Sequence, residues 1–116
     1  MAHRKIYLRF LQMMQALEGG DSAIQMDLDA KKLLEMIAVR HTQGNPLTVT
    51  EAMGLHQIAS PATIHRKIDQ LRDLELVETT FEGNNRRTKF LVPTEAAYRQ
   101  FDSAGKVIQQ LLGQQA

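Results

Sequence analysis

Ser60 followed by Pro61 leaves the chain little choice at that point. Serine is a strong helix N-cap, and proline at the first helical position gives up an N–H that the helix would have left unsatisfied anyway. Apolar residues then recur at Ile64, Ile68 and Leu71, one stripe at helical spacing. The positions away from that stripe, Ala62, Thr63, Arg66 and Gln70, are small, polar or basic. Residues 60–74 therefore read as a helix that buries one edge and offers a hydrogen-bonding face at its N-terminal end. Such a face fits the major groove of DNA.

The pattern on the N-terminal side is also helical. Residues 3–18 place Ile6, Phe10, Met13 and Leu17 on one stripe, widened by Tyr7, Leu11 and Met14, and Gly19-Gly20 ends the run. Residues 21–26 read as a loop. A second helix starts near Asp27 or Asp29, turns Leu33, Leu34, Ile37 and Ala38 inward, and stops at Gly44. Asn45-Pro46 makes a turn, with Leu47 in a short strand. Thr48 and Glu51 have the spacing of a capping box, in which each side chain satisfies the other's free backbone N–H. The helix they open is short, with Ala52, Leu55 and Met53 inward, and gives way by about residue 57 to a turn through Ile58-Ala59.

Beyond Leu74 the period falls to two. Val77, Thr79 and Phe81 alternate with Glu78, Thr80 and Glu82, a strand with one wet face. Gly83-Asn84-Asn85 supplies turn residues that tolerate positive φ, and residues 88–92 return as a second strand stopped by Pro93. Thr94 caps a last helix with Ala97, Phe101, Ala104, Ile108 and Leu111 in a stripe and Tyr98, Val107 and Leu112 beside it. The fold class is mainly α with a small β-hairpin (α+β): a single domain, 1–116, with a winged helix–turn–helix core at 27–93. Terminal helices at 1–20 and 94–116 flank that core. Their apolar stripes are wide for so small a centre, which points to dimerisation through them.

From about residue 27 to residue 98 the chain resembles the MarR-type winged-helix transcriptional regulators. Pro46-Leu47-Thr48-Val49-Thr50-Glu51, the helix 60–71, Leu74-Glu75-Leu76-Val77, Asn85-Arg86-Arg87 and Leu91-Val92-Pro93-Thr94-Glu95 carry the likeness. The resemblance implies a homodimer on a roughly palindromic operator, with the recognition helix in the major groove and a wing arginine in the minor groove. It also allows a small-molecule effector. The chain departs from the pattern in three places. Asn85 stands where such proteins usually carry Asp, Glu75 where a helix-ending Gly is common, and the turn Gln57-Ile58-Ala59 lacks the usual Gly.

The expected DNA contacts fall in two groups. On the helix, Arg66 can pair with guanine or phosphate, Ala62 and Thr63 allow close approach, and Ser60 and Pro61 open the helix toward phosphate. His65, Lys67 and Gln70 flank them. At the wing, residues 82–88, Arg86 and Arg87 should point to different sides, so that one enters a groove while the other grips the backbone. Arg87 is the expected groove residue, and Asn85 is its neighbour.

Composition excludes several alternatives. There is no cysteine, hence no disulfide, thiolate metal site or thiol nucleophile. His3, His41, His56 and His65 are scattered, without metal-ligand spacing. No phosphate loop, nucleophile elbow or zinc-protease motif occurs, so neither an enzyme nor a cofactor is expected. No apolar run approaches the roughly 20 residues of a membrane span, which fits a cytoplasmic protein. Net charge is only +1, so nucleic-acid contact must come from local clusters. The reading is a double-stranded DNA-binding transcriptional regulator, a repressor. Two alternatives are a winged-helix module for protein–protein assembly and a ligand sensor that does not bind DNA.

Overall fold

The computed structural model describes residues 2–20 and 25–114. Its elements run α1 (Ala2–Glu18), α2 (Leu28–Thr42), α3 (Val49–Met53), α4 (Pro61–Asp73), β1 (Val77–Glu82), β2 (Asn85–Pro93) and α5 (Glu95–Gln114). This is a mostly helical chain with one antiparallel hairpin. Most of the loop expected at 21–26 (residues 21–24) lies outside the described residues. The molecule groups into two compact units: Met1–Gln25 with Tyr98–Ala116, and Met26–Ala97.

The second unit contains most of the core. Leu33, Leu34 and Ile37 of α2, Leu47, Ile64 and Leu71 of α4, Leu76 and Leu91 of β2 are all fully buried. The inward stripe of α2 starts at Ala30, which is buried, and Ala38 is only half-buried. Asp27 caps α2 by accepting from Ala30 N–H at 2.9 Å, and Gly44 leaves it with φ of 77°. At α3 the expected capping box forms: Thr48 Oγ1 accepts from Glu51 N–H and Glu51 Oε1 from Thr48 N–H, both at 3.0 Å. The helix is shorter than its sequence suggests. It ends at Met53 because Gly54 is a poor helix former, and residues 54–58 continue in tight turns.

Strand pairing departs from strict alternation at the wing. Val77 faces Pro93, Thr79 faces Leu91 and Thr80 faces Phe90, but the next pair is Glu82 with Asn85. The register shifts between them, so Arg86 to Lys89 oppose Phe81 alone. Two expectations change in consequence. Asn85 belongs to β2, not to the turn, and Phe81 is not an inward residue: it is 37% exposed. Gly83 takes the left-handed φ of 55° that the hairpin tip requires. Leu47 does join the sheet edge, its carbonyl accepting from Leu91 N–H at 2.8 Å, with a bridge from Thr48 to Phe90.

Where α4 ends, Leu76 N–H donates to Leu71 carbonyl and Glu75 N–H to Arg72 carbonyl, both at 2.9 Å. This is a Schellman closure, with Leu71 and Leu76 buried as its apolar pair. The left-handed position falls on Glu75, at φ 60°, where a β-carbon is strained by about 1–2 kcal/mol. The distortion is secured by Thr94, whose hydroxyl donates to Glu75 carbonyl at 2.6 Å and whose N–H donates to Leu76 carbonyl at 3.1 Å. Glu75→Gly should therefore raise stability. Glycine's larger unfolded-state freedom offsets part of the gain, leaving about 0.5–1 kcal/mol, a few degrees in a thermal melt. A lowered melting temperature would contradict this account of the turn.

In the first unit, α1 has no fully buried side chain among its described residues. Ile6, Phe10, Leu11, Met13 and Met14 are half-buried, while Tyr7, Leu8 and Leu17 are exposed. On α5, Val107 and Leu111 are buried, but Ile108 and Leu112 stand in solvent. No helix is long and apolar enough to cross a membrane, among the described residues.

Candidate nucleic-acid interface

The N-terminal end of α4 is tied by its own side chains. Ser60 Oγ accepts from Thr63 N–H at 3.3 Å and donates to Thr63 Oγ1 at 3.0 Å. Arg66 Nη2 donates to the same Thr63 oxygen at 3.1 Å. Ile64, Ile68 and Leu71 are buried beneath, so the helix cannot roll without exposing them. Ser60, Pro61, Ala62, His65 and Arg66 are exposed, and Thr63 and Gln70 half-buried. Arg66 does not pair with Asp69. That carboxylate lies 3.5 Å from His65 Nδ1 instead, one turn along the same helix.

Lys67 has a different role from the flanking DNA contact expected of it. Its ammonium is held by Asp27 Oδ2, across forty positions of sequence. Its side chain is only 21% exposed. The pair joins the start of α2 to the middle of α4. A hydrogen bond from Lys67, reinforced by Ala30 N–H, holds the Asp27 carboxyl below the ordinary carboxylate range. At the capping box Thr48 N–H does the same for Glu51, with Arg40 nearby at 3.8 Å.

The sign of the pH effect follows. A carboxylate depressed in the folded state contributes stability above its unfolded pKa of about 4, and loses it as pH falls through the folded value. Stability should thus decline below about pH 4. Asp27→Asn keeps a competent cap but removes the ion pair, so it should be less stable at neutral pH and show a shallower acid decline. Urea midpoints at pH 7 and pH 3 measure both. An acid decline as steep as that of the parent would contradict the assignment.

At the wing, Asn85 Oδ1 accepts from Arg87 N–H at 2.9 Å, and its amide donates to Thr88 Oγ1 at 3.4 Å. The side chain thus shapes the backbone at the start of β2, and orients no guanidinium. Arg86 lies over the Phe81 ring, 5.4 Å from its centroid, a contact of about 0.5–1 kcal/mol that also covers an otherwise wet aromatic. Arg87 goes elsewhere. With Thr88 and Lys89 it lines an open cleft of about 410 Å³ whose other wall is Thr48, Val49 and Thr50. The two arginines thus part, one onto a ring and one into the cleft.

The structure thus gathers Ser60, Thr63 and Arg66 into one group, and Asn85 and Arg87 into another. Among the described residues no hydrogen bond or ion pair joins the two groups. The sequence groups Lys89 with the wing arginines as one basic cluster, but sequence reasoning missed the use of Lys67 by Asp27 and the placing of Thr48 and Thr50 beside Arg87 and Lys89. The only signal for the cleft was Leu47 read as a strand next to the capping box.

No family model and no curated protein matches the chain. Solved structures do. A MarR-like transcriptional regulator from Thermotoga maritima superposes with a TM-score of 0.68 at 15% identity, over 97% of this chain and 77% of that one. The fold is the MarR-type winged helix. Two further neighbours have TM-scores of 0.54. The zinc-responsive MarR family member ZitR of Lactococcus lactis is 16% identical over 98% of this chain and 81% of its own. BpsR of Bordetella bronchiseptica, whose DNA binding is regulated by 6-hydroxynicotinic acid, is 17% identical over 97% and 75%. At such identities the MarR-type likeness is one of backbone arrangement, and side-chain roles must come from this chain's own residues.

Proposed function

We propose that this protein is a sequence-specific, double-stranded DNA-binding transcriptional regulator, a cytoplasmic repressor that acts as a homodimer. The observation that carries the reading is the N-terminal end of α4. It combines a buried Ile64–Ile68–Leu71 edge with an exposed Ser60–Thr63–Arg66 network, in a fold shared with regulators of transcription. In the complex α4 lies in the major groove, Arg66 reads or grips it, and Ser60, Pro61, Ala62, Thr63, His65 and Gln70 make up the contact face. The wing, residues 82–88, approaches the minor groove, with an arginine entering it.

Dimerisation uses the terminal helices, where Tyr7, Leu8, Ile108 and Leu112 are exposed and apolar. Two copies of α4 would then sit about 34 Å apart, one turn of DNA. By likeness to BpsR, a small-molecule effector would tune the affinity. The test is selection of bound duplexes from a random pool, followed by anisotropy across a salt series. Two half-sites in inverted repeat, with affinity falling steeply as salt rises, are the expected result. Absence of salt-dependent binding to any duplex would overturn the reading in favour of a protein-assembly module.

A further inference from the structure

We propose that the base of the wing is a site for a single phosphate-class oxyanion, held between Arg87 and Lys89 of β2 and the hydroxyls of Thr50 and Thr88. The inference rests on the DNA-binding reading above, in which the oxyanion is one phosphodiester of the DNA backbone.

The backbone explains why these residues meet. The Thr48–Phe90 bridge and the Leu91–Leu47 hydrogen bond set residues 47–48 antiparallel to β2. α3 starts straight after that bridge, so its first residues, Val49 and Thr50, line the same cleft as Thr88 and Lys89. The register shift at Phe81 leaves Arg86 to Lys89 outside regular pairing, and the cleft opens there.

The side chains supply the chemistry. Two other cations near the motif are ion-paired, Lys67 by Asp27 and Arg40 by Glu51 with the Asn45 carbonyl, while Arg66 and Arg86, which rest only on the Thr63 hydroxyl and the Phe81 ring, lie outside the cleft. Arg87 and Lys89 meet no acceptor among the described residues, yet both line one cleft. Two of the three threonines are poised as donors. Thr88 Oγ1 already accepts from the Asn85 amide, which leaves its proton to donate into the cleft, whereas the Thr48 hydroxyl accepts from Glu51 N–H and also serves the Glu51 carboxylate. Thr50 makes no hydrogen bond with its side chain among the described residues and is exposed. Glu51 is the nearby acid on α3, and its carboxylate is occupied by Thr48 N–H and Arg40. Two positive charges with convergent hydroxyls and no competing carboxylate suit a monoanionic or dianionic oxyanion. The cleft is roomy and open, which suits a phosphate embedded in a longer chain. Arg87 would then be spent on the backbone, and Arg86, outside the cleft, becomes the arginine available to the groove.

The test uses the full chain, the Thr50→Val and Lys89→Gln variants, and the double variant. Melting temperatures confirm folding, since both residues are exposed. On a duplex from the selection, Lys89→Gln should lower the slope of log affinity against log salt by about one. A scan of single methylphosphonate replacements should find one position per half-site that weakens the parent about tenfold and leaves the double variant unaffected. If the parent binds DNA but no replacement distinguishes it from the double variant, the inference is wrong and the regulator reading stands. If the parent binds no duplex, inorganic phosphate followed through the Thr50 and Lys89 amide resonances decides. Saturable shifts absent from the double variant would establish an oxyanion site for a free ligand, and no shifts would end the proposal.

Discussion

Leu91→Ala is expected to cost about 2–5 kcal/mol, the range for emptying a fully buried leucine site that cannot collapse. Leu91 is wholly inaccessible, and its own N–H anchors Leu47, another fully buried residue. Deleting the side chain removes apolar contact from the floor beneath both the hairpin and the segment leading to α3. Domains of this size have about 5–15 kcal/mol in total, so the variant should sit near the edge of folding. The denaturant midpoint should fall sharply while the slope of the transition stays constant. Leu91→Met, which conserves volume, should lose less than about 1.5 kcal/mol. A loss under about 1 kcal/mol in the alanine variant would mean that the hairpin does not close this core.

The second large effect is on binding. Arg66→Ala should weaken the complex with a selected duplex about 10- to 100-fold, with stability changed by no more than about 0.5 kcal/mol. Its guanidinium is exposed, and its one partner, Thr63, is itself held by Ser60, so the helix end survives the loss. The informative comparison is Arg66→Lys. Lysine restores a charge for phosphate but not the two-pronged donor that matches guanine. If Arg66 reads a base, Arg66→Lys keeps the salt slope and loses discrimination at one position of the half-site. If it grips phosphate alone, Arg66→Lys recovers both. Undiminished binding in Arg66→Ala would remove α4 from the contact surface.

Local grammar explains what could be read from the chain. Ser60-Pro61, the Thr48–Glu51 box, Gly44 and Asp27 each act within four residues, and each sits at the helix end that its local chemistry demanded. The order of helices and hairpin followed from periodicity for the same reason. The inward stripes of α2 and α4 were legible too, because burial repeats with the helical turn. What failed was decided by contacts between distant residues. Nothing near Lys67 announces that its ammonium belongs to Asp27, and the strand alternation that placed Phe81 inward assumed a register that the wing abandons after Thr80. The end of α3 was misjudged because Leu55, an apolar residue just past Gly54, mimics a continuing helix. At the candidate interface, the arginines were visible as a cluster. Their separation onto the Phe81 ring and into a cleft required the fold.

The clasp that Thr94 makes on Glu75 and Leu76 closes the hairpin at its root. A loop whose two feet are fastened in this way can change length or chemistry at its far end cheaply, because each doubling of a flexible connection adds only about 0.6 kcal/mol. Everything from Phe81 to Lys89 is thus insulated from the folding of the rest. Natural or engineered drift there should alter what the molecule docks against while leaving its melting behaviour almost untouched, making the wing tip the natural place to retarget this scaffold.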